Sequence, residues 1–149
     1  MEARVYRDLR HNTVVNLGDG AFFGFALGFS SFVTILPLFV SLMTDSPVLI
    51  GLIPAIHTAG WQLPQLFMAG RVTRQKLVKP MALRMTLIER FPYLGLAILA
   101  FFLPEISTNL ALGLTFALLV VQGLGAGFTS VPWQMMITKV IPSNRRGTF

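Results

Sequence analysis

The chain contains no cysteine, which excludes disulfides and thiolate metal sites and says nothing about the compartment. Charge is almost as scarce. Only 12% of the 149 residues are Asp, Glu, Lys or Arg, where a soluble domain of this size carries about 25%. So few charges cannot coat the surface of a water-soluble globule. Catalytic patterns are missing as well: there is no HExxH, GxSxG, Walker or strand-linked GxGxxG arrangement. The glycine-rich stretch Gly123-Leu124-Gly125-Ala126-Gly127 lies inside an apolar run and cradles no phosphate. No enzyme, cofactor or metal site is expected.

Apolar residues make up 54% of the sequence, and the mean hydropathy is +0.68. They fall into long blocks, each near the roughly 20 residues needed to cross about 30 Å of hydrocarbon. The blocks run approximately Val14–Leu42, Val48–Gly70, Met81–Leu103 and Asn109–Ile141. The expected architecture is therefore an all-α membrane protein with four transmembrane helices. Residues 1–13 and 142–149 lie outside it as cytoplasmic segments. Thr44-Asp45-Ser46-Pro47 and Pro104-Glu105-Ile106-Ser107-Thr108 are short turns of helix stoppers and N-cap types. The first apolar stretch begins after Asn12, exceeds a signal h-region and offers no small-residue cleavage site, so no cleavable signal is expected.

The formal net charge of +6 raises nucleic-acid binding, but no basic face with interleaved aromatics accompanies it. The positive charges mark topology instead. Arg4, Arg7 and Arg10 precede the first span, Arg71, Arg74, Lys76 and Lys79 fill the second loop, and Lys139, Arg145 and Arg146 follow the fourth. The two other turns carry only Asp45 and Glu105. The positive-inside rule then puts both ends in the cytoplasm, within the plasma or inner membrane.

Pro37, Pro54, Pro64, Pro92 and Pro132 lie within or near the ends of spans. They mark kinks in helices that pack on one another, or reflect the higher proline content of membrane helices. Gly20, Gly24 and Gly28 recur every four residues in span one, and Gly123 and Gly127 pair in span four. Small residues at this spacing let helices approach closely where lipid offers no hydrophobic drive. Beside the first stripe, Asn16, Asp19, Phe23, Ser30 and Thr34 share an arc of roughly 60°. Thr115, Gln122, Thr129 and Trp133 share a face of span four, while span two aligns His57, Trp61 and Gln65, with Gln62 adjacent. These polar faces line a cavity or satisfy each other by interhelical hydrogen bonds. Alignment on three spans favours the cavity. Its candidates are Asn16, Ser30, Thr34, His57, Gln65, Gln122, Thr129 and Trp133, mostly neutral and so unsuited to a highly charged substrate.

Charged groups within the spans are the other candidates: Asp19, Arg84, Glu89 and Arg90. Glu89 and Arg90 fall roughly 12–14 Å into span three at 1.5 Å per residue, a depth at which charges are costly and mark paired or functional groups. Arg90 or Arg84 is expected to pair with Asp19, with Glu89 finding another donor. Asp19 otherwise binds a proton, or caps and snorkels. His57 is a hydrogen-bonded structural residue or a proton or ligand group.

Together these pieces resemble the N-terminal part of a major facilitator superfamily transporter. Span one ends in Ile35-Leu36-Pro37-Leu38-Phe39, similar to the proline-bearing end of the family's first helix. Gly70, Arg71, Arg74 and Lys76 sit where the family keeps its cytoplasmic signature loop. Gln122-Gly123-Leu124-Gly125-Ala126 is similar to its Q-G-x-G-A core, and Ile141-Pro142-Ser143-Asn144-Arg145-Arg146-Gly147 to its P-x-x-R-x-G segment. Two positions depart. Arg74 stands where the loop usually has Asp, so that residue's gating contacts do not carry over. Leu119 stands where the fourth helix usually has Arg, so proton coupling by that route does not carry over either. A route through Asp19, Glu89 or His57 stays open.

The resemblance covers essentially the whole chain and implies an incomplete N-terminal half of a twelve-helix fold, with substrate near midplane between two halves. It also implies helices one, two and four at the cavity, and helix three outside. The expected function is secondary active transport of an unknown small molecule by alternating access. The expected partners are the bilayer and the missing C-terminal helices, without which the fragment, ending at Phe149, transports nothing. The competing expectation is a stand-alone four-span protein, assembled as a homo-oligomeric efflux pump or a noncatalytic scaffold.

Overall fold

The structure, a computed structural model, describes residues 6–75 and 77–142. Among these residues the chain is all-helical, with no strand. Helix α1 spans Leu9–Phe29, α2 Ile35–Ser41, α3 Pro47–Val72, α4 Lys79–Phe102 and α5 Thr108–Val140, with one 3-10 turn at Leu103–Glu105 after α4. Two stretches among the described residues, Lys79–Glu105 and Thr108–Val140, are long and apolar enough to cross a membrane. Helices α1 and α3 are more interrupted: Arg10, His11 and Asp19 fall within α1, and His57, Gln62, Gln65 and Arg71 within α3.

Helix starts follow local chemistry. Ser46 caps α3, its hydroxyl accepting from the Leu49 amide at 3.5 Å, with Pro47 directly after it. At its other end α3 continues to Val72, past the expected loop start at Arg71, because Val72 is fully buried with Met68 and Val78.

The first apolar block, expected as one span, is divided. The chain leaves helical geometry between Ser30 and Thr34 and resumes as α2. Val33, Thr34 and Ile35 are consecutive β-branched residues, and Pro37 lacks the amide that would reach back to Val33. Serine hydroxyls supply alternative bonds. Ser31 Oγ accepts from the Val33 and Thr34 amides at 3.3 and 3.2 Å, and Ser30 Oγ donates to the Ala26 carbonyl at 2.9 Å.

Helix α5 is the axis of the bundle, with α3 on one side and α4 on the other. Glycine sets both distances. A Cβ on Gly127 would lie 2.6 Å from the Gly60 and Trp61 carbonyl oxygens, and one on Gly60 would lie 2.8 Å from the Gly123 carbonyl carbon. On the opposite face, a Cβ on Gly125 would lie 2.8 Å from the Glu89 Cα and N. Apolar clusters flank this waist. Phe32, Leu36 and Val40 join Ile53, Leu96 and Leu119 in the larger one, and Met68, Val72 and Val78 form the smaller.

Helix α1 is held differently. It buries none of its residues, and Gly20, Gly24 and Gly28 meet nothing within 4 Å. The expected packing stripe is therefore a helix face left open among the described residues. Spacing alone creates a groove for a partner without supplying one.

Candidate functional site

Two polar clusters sit between the helices. The first joins α1, α4 and α5 through Asp19. Arg90 Nη2 approaches Asp19 Oδ1 at 3.4 Å, and Trp133 Nε1 donates to Asp19 Oδ2 at 3.4 Å. The Arg90 guanidinium also lies 5.6 Å from the centre of the Phe23 ring, within cation–π range. Arg90 is thus the residue that pairs with Asp19. Arg84 is exposed.

Both members of the pair are about half exposed, their side chains at 50% and 45%. A pair so open contributes little in water, and double-mutant cycles on such pairs give about 0.2–1 kcal/mol. A cycle of Asp19→Asn and Arg90→Gln, read by thermal unfolding in detergent, is expected to return a coupling of that size. Additive losses would show that the two side chains do not interact.

Glu89, one residue before Arg90, is only 6% exposed. Its backbone presses against Gly125, four residues before Thr129 on α5. Thr129 in turn donates to the Gly125 carbonyl at 2.9 Å.

The second cluster joins α3 and α5. His57 Nδ1 lies 3.2 Å from Gln122 Oε1, so the imidazole donates from Nδ1. Phe32, from the break between α1 and α2, stacks on the imidazole with centroids 3.7 Å apart and planes 12° apart. Gln122 is 1% exposed and its Nε2 has no hydrogen-bond partner among the described residues. The polar faces of α3 and α5 therefore meet in a direct hydrogen bond.

The remaining cavity candidates turn mostly to their own backbone. Asn16 Nδ2 donates to the Asn12 carbonyl at 2.7 Å, and Gln65 Nε2 to the Trp61 carbonyl at 2.8 Å. Thr34 is exposed. The large opening lies elsewhere, between α1, α2 and α4, with a volume of about 650 Å³. Phe22, Phe23, Leu27, Phe39 and Leu96 supply apolar wall, while Asp19, Ser30, Arg90 and Tyr93 supply its polar groups. Of the eight cavity candidates, Ser30 alone lines this groove. Helix α4, expected outside the cavity as the third span, forms one wall.

Tyr93 was not among the sequence candidates. Its hydroxyl is buried beside Ser30 without completing a hydrogen bond of good geometry. The signal available was its place four residues after Glu89, on the same face of α4.

At the signature-loop positions, Gly70 and Arg71 belong to the last turns of α3, and Gly70 meets nothing within 4 Å. Arg71 and Arg74 are exposed. Lys139 Nζ reaches the Gln75 carbonyl at 3.5 Å, tying the end of α5 to this loop. Arg4, Lys76 and the segment Ser143–Gly147 lie outside the described residues. No family model, no curated protein and no solved structure matches this chain.

Proposed function

We propose that the chain forms four membrane spans of a secondary transporter of small solutes, resembling the start of a major facilitator fold and working by alternating access once joined to further helices. One observation carries the reading: the outer surface of the helices is apolar. Large apolar side chains point outward on every long helix, among them Phe22 at 79%, Leu66 at 76% and Phe101 at 78% exposure, while Glu89, Thr115, Gln122 and Thr129 are buried. Soluble monomers rarely expose contiguous apolar surface beyond a few hundred Å². A bilayer is the solvent that accepts such a surface.

Lengths agree with that solvent. Helix α5 has 33 residues, a length of roughly 50 Å at 1.5 Å per residue. This exceeds about 30 Å of hydrocarbon. Spans one and two are the more polar pair: Asp19 meets Arg90 and Trp133 and His57 meets Gln122 between helices, while Thr58 and Gln62 are exposed on α3. The open face of α1, with its glycines and its polar line, supports docking against helices beyond the four. A charged pair within reach of a 650 Å³ groove supports solute handling, since charges inside spans mark pathways and relays.

The native absence of cysteine makes the topology directly testable. Single variants Ser46→Cys and Ser107→Cys are expected to react with an impermeant maleimide on intact cells. Thr73→Cys is expected to react only after permeabilisation. Labelling of Thr73→Cys on intact cells, or of all three from one side, would remove the orientation with both ends in the cytoplasm. Transport itself is tested in a protein carrying the additional helices: Trp133→Ala is expected to change uptake or efflux at unchanged expression, and unchanged flux would remove Trp133 from the pathway.

A further inference from the structure

On the side of α4 opposite the Asp19 groove lies a second, smaller one. Leu87, Ile88, Phe91 and Pro92 of α4 and Val121 of α5 line a groove of about 330 Å³ between the two helices. Every residue that lines it is apolar.

Arg84 precedes this groove on the same helix face. At 100° per residue, Arg84, Leu87, Ile88 and Phe91 fall within an arc of about 100°, so one cation and an apolar wall form a continuous strip. Arg84 lies five residues after Lys79, where α4 begins, or roughly 7.5 Å along the axis. It is exposed and makes neither ion pair nor hydrogen bond among the described residues. Its place in the helix does not explain it, because cations stabilise the C-terminal end of a helix and not the N-terminal one. No nearby carboxylate explains it either. From Arg71 to Ile88 the sequence has no Asp or Glu, yet it holds Arg71, Arg74, Lys76, Lys79 and Arg84. Lys139 joins this end of the bundle through its contact with the Gln75 carbonyl at 3.5 Å.

We propose that Arg84 and the groove between α4 and α5 bind an anionic phospholipid, with the phosphate on the guanidinium and one acyl chain along Leu87, Ile88 and Phe91. This rests on the reading of α4 and α5 as membrane spans and is independent of what the chain transports. Three features select the ligand. The groove offers hydrocarbon and no donor or acceptor, so its occupant is a chain and not a free phosphate. The guanidinium presents a planar fork of donors that matches two phosphate oxygens, and its aliphatic stem lets it reach back to headgroup level. The uncompensated cations around it favour a headgroup of net negative charge over a zwitterion, whose own ammonium they repel.

The test uses the full chain reconstituted in vesicles of phosphatidylcholine and phosphatidylglycerol, each in turn brominated in its acyl chains. A fluorophore on Leu94→Cys, an exposed position three residues beyond Phe91, reports quenching at the groove. One on Leu52→Cys, exposed on α3 and 20 residues before Val72, reports lipid remote from the cations. At position 94, phosphatidylglycerol is expected to be favoured roughly fivefold over phosphatidylcholine, the weight of one cation near an anionic headgroup. At position 52 no preference is expected. Arg84→Gln is expected to abolish the preference without changing thermal unfolding, because Arg84 has no partner to lose, and Arg84→Lys to keep part of it. Val121→Trp, which fills the groove from α5, is expected to weaken quenching by both lipids at position 94.

Equal quenching by the two lipids, or a preference that survives Arg84→Gln, overturns the site. Unchanged quenching in Val121→Trp overturns the groove as its seat. Loss of the preference on adding inorganic phosphate at matched ionic strength assigns the cation to a free anion and overturns the lipid. Absence of quenching by either lipid at both positions removes the membrane spans as well, whereas equal quenching removes the lipid site alone.

Discussion

Gly127→Val is expected to abolish the folded bundle, with a loss of about 3 kcal/mol or more, at the upper end for overpacked sites. The Cβ alone would stand 2.6 Å from two backbone carbonyl oxygens, those of Gly60 and Trp61. Backbone atoms of a helix cannot swing aside as a side-chain tip can. Relief requires α3 and α5 to part, which opens the contact between Gly60 and Gly123 at the same time. In the bilayer proposed above, no hydrophobic drive would push the helices back together, so lost close packing would not be replaced. Thermal unfolding in detergent, with size-exclusion profiles of expressed protein, measures the effect. Gly24→Ala serves as the contrast. Nothing lies within 4 Å of that glycine, and alanine gains up to about 1 kcal/mol in helix propensity. It is expected to leave the chain unchanged or slightly more stable. Equal losses in both variants would show that α1 is packed as tightly as α5.

Leu119→Arg is the second large effect. The resemblance implies Arg at this position, whereas Leu119 is 1% exposed and sits in the larger apolar cluster with Leu36, Ile53 and Leu96. The substitution places a guanidinium among hydrocarbon side chains with no carboxylate in that cluster. An uncompensated buried charge costs about 3–5 kcal/mol by analogy with broken buried pairs, and the longer side chain overpacks the site as well. The expected outcome is loss of the monodisperse folded species. Leu119→Met, which conserves volume, is expected to cost less than about 1.5 kcal/mol. A folded Leu119→Arg with unchanged melting would mean that water or a carboxylate reaches this point. The space the resemblance reserves for Arg would then still be present.

The two variants also separate what was legible in the residues from what was not. Gly123 and Gly127 stood out as a pair, and the structure packs both against α3. Gly125 entered only through the glycine-rich motif and carried no packing expectation of its own. Residues two apart on a helix point about 200° apart, so alternating glycines at 123, 125 and 127 signal close partners on both sides. Gly20, Gly24 and Gly28 show the opposite case: the same spacing, with no neighbour in reach. The polar residues behaved similarly. Periodicity aligned His57 with Trp61 and Gln65, and Gln122 with Thr129, but a shared face does not say whether the space in front of it is open. His57 and Gln122 turned out to close on each other, while the open groove gathered Asp19, Arg90 and Tyr93. Phe32, stacked on His57, gave no signal, because an aromatic in an apolar run looks like every other ring in that run.

The residues alone fixed the helical character of the chain and its shortage of charge, and they offered Asp19 and an arginine of α4 as one candidate pair. These follow from short-range rules: apolar block length, stop residues and the placement of opposite charges. Only the tertiary structure decided the break at Ser30–Thr34, the choice of Arg90 over Arg84 and the burial of Glu89 against Gly125. Each depends on which helices lie side by side and at what rotation. Helical periodicity sets directions around one axis, and leaves the positions of the other axes to packing.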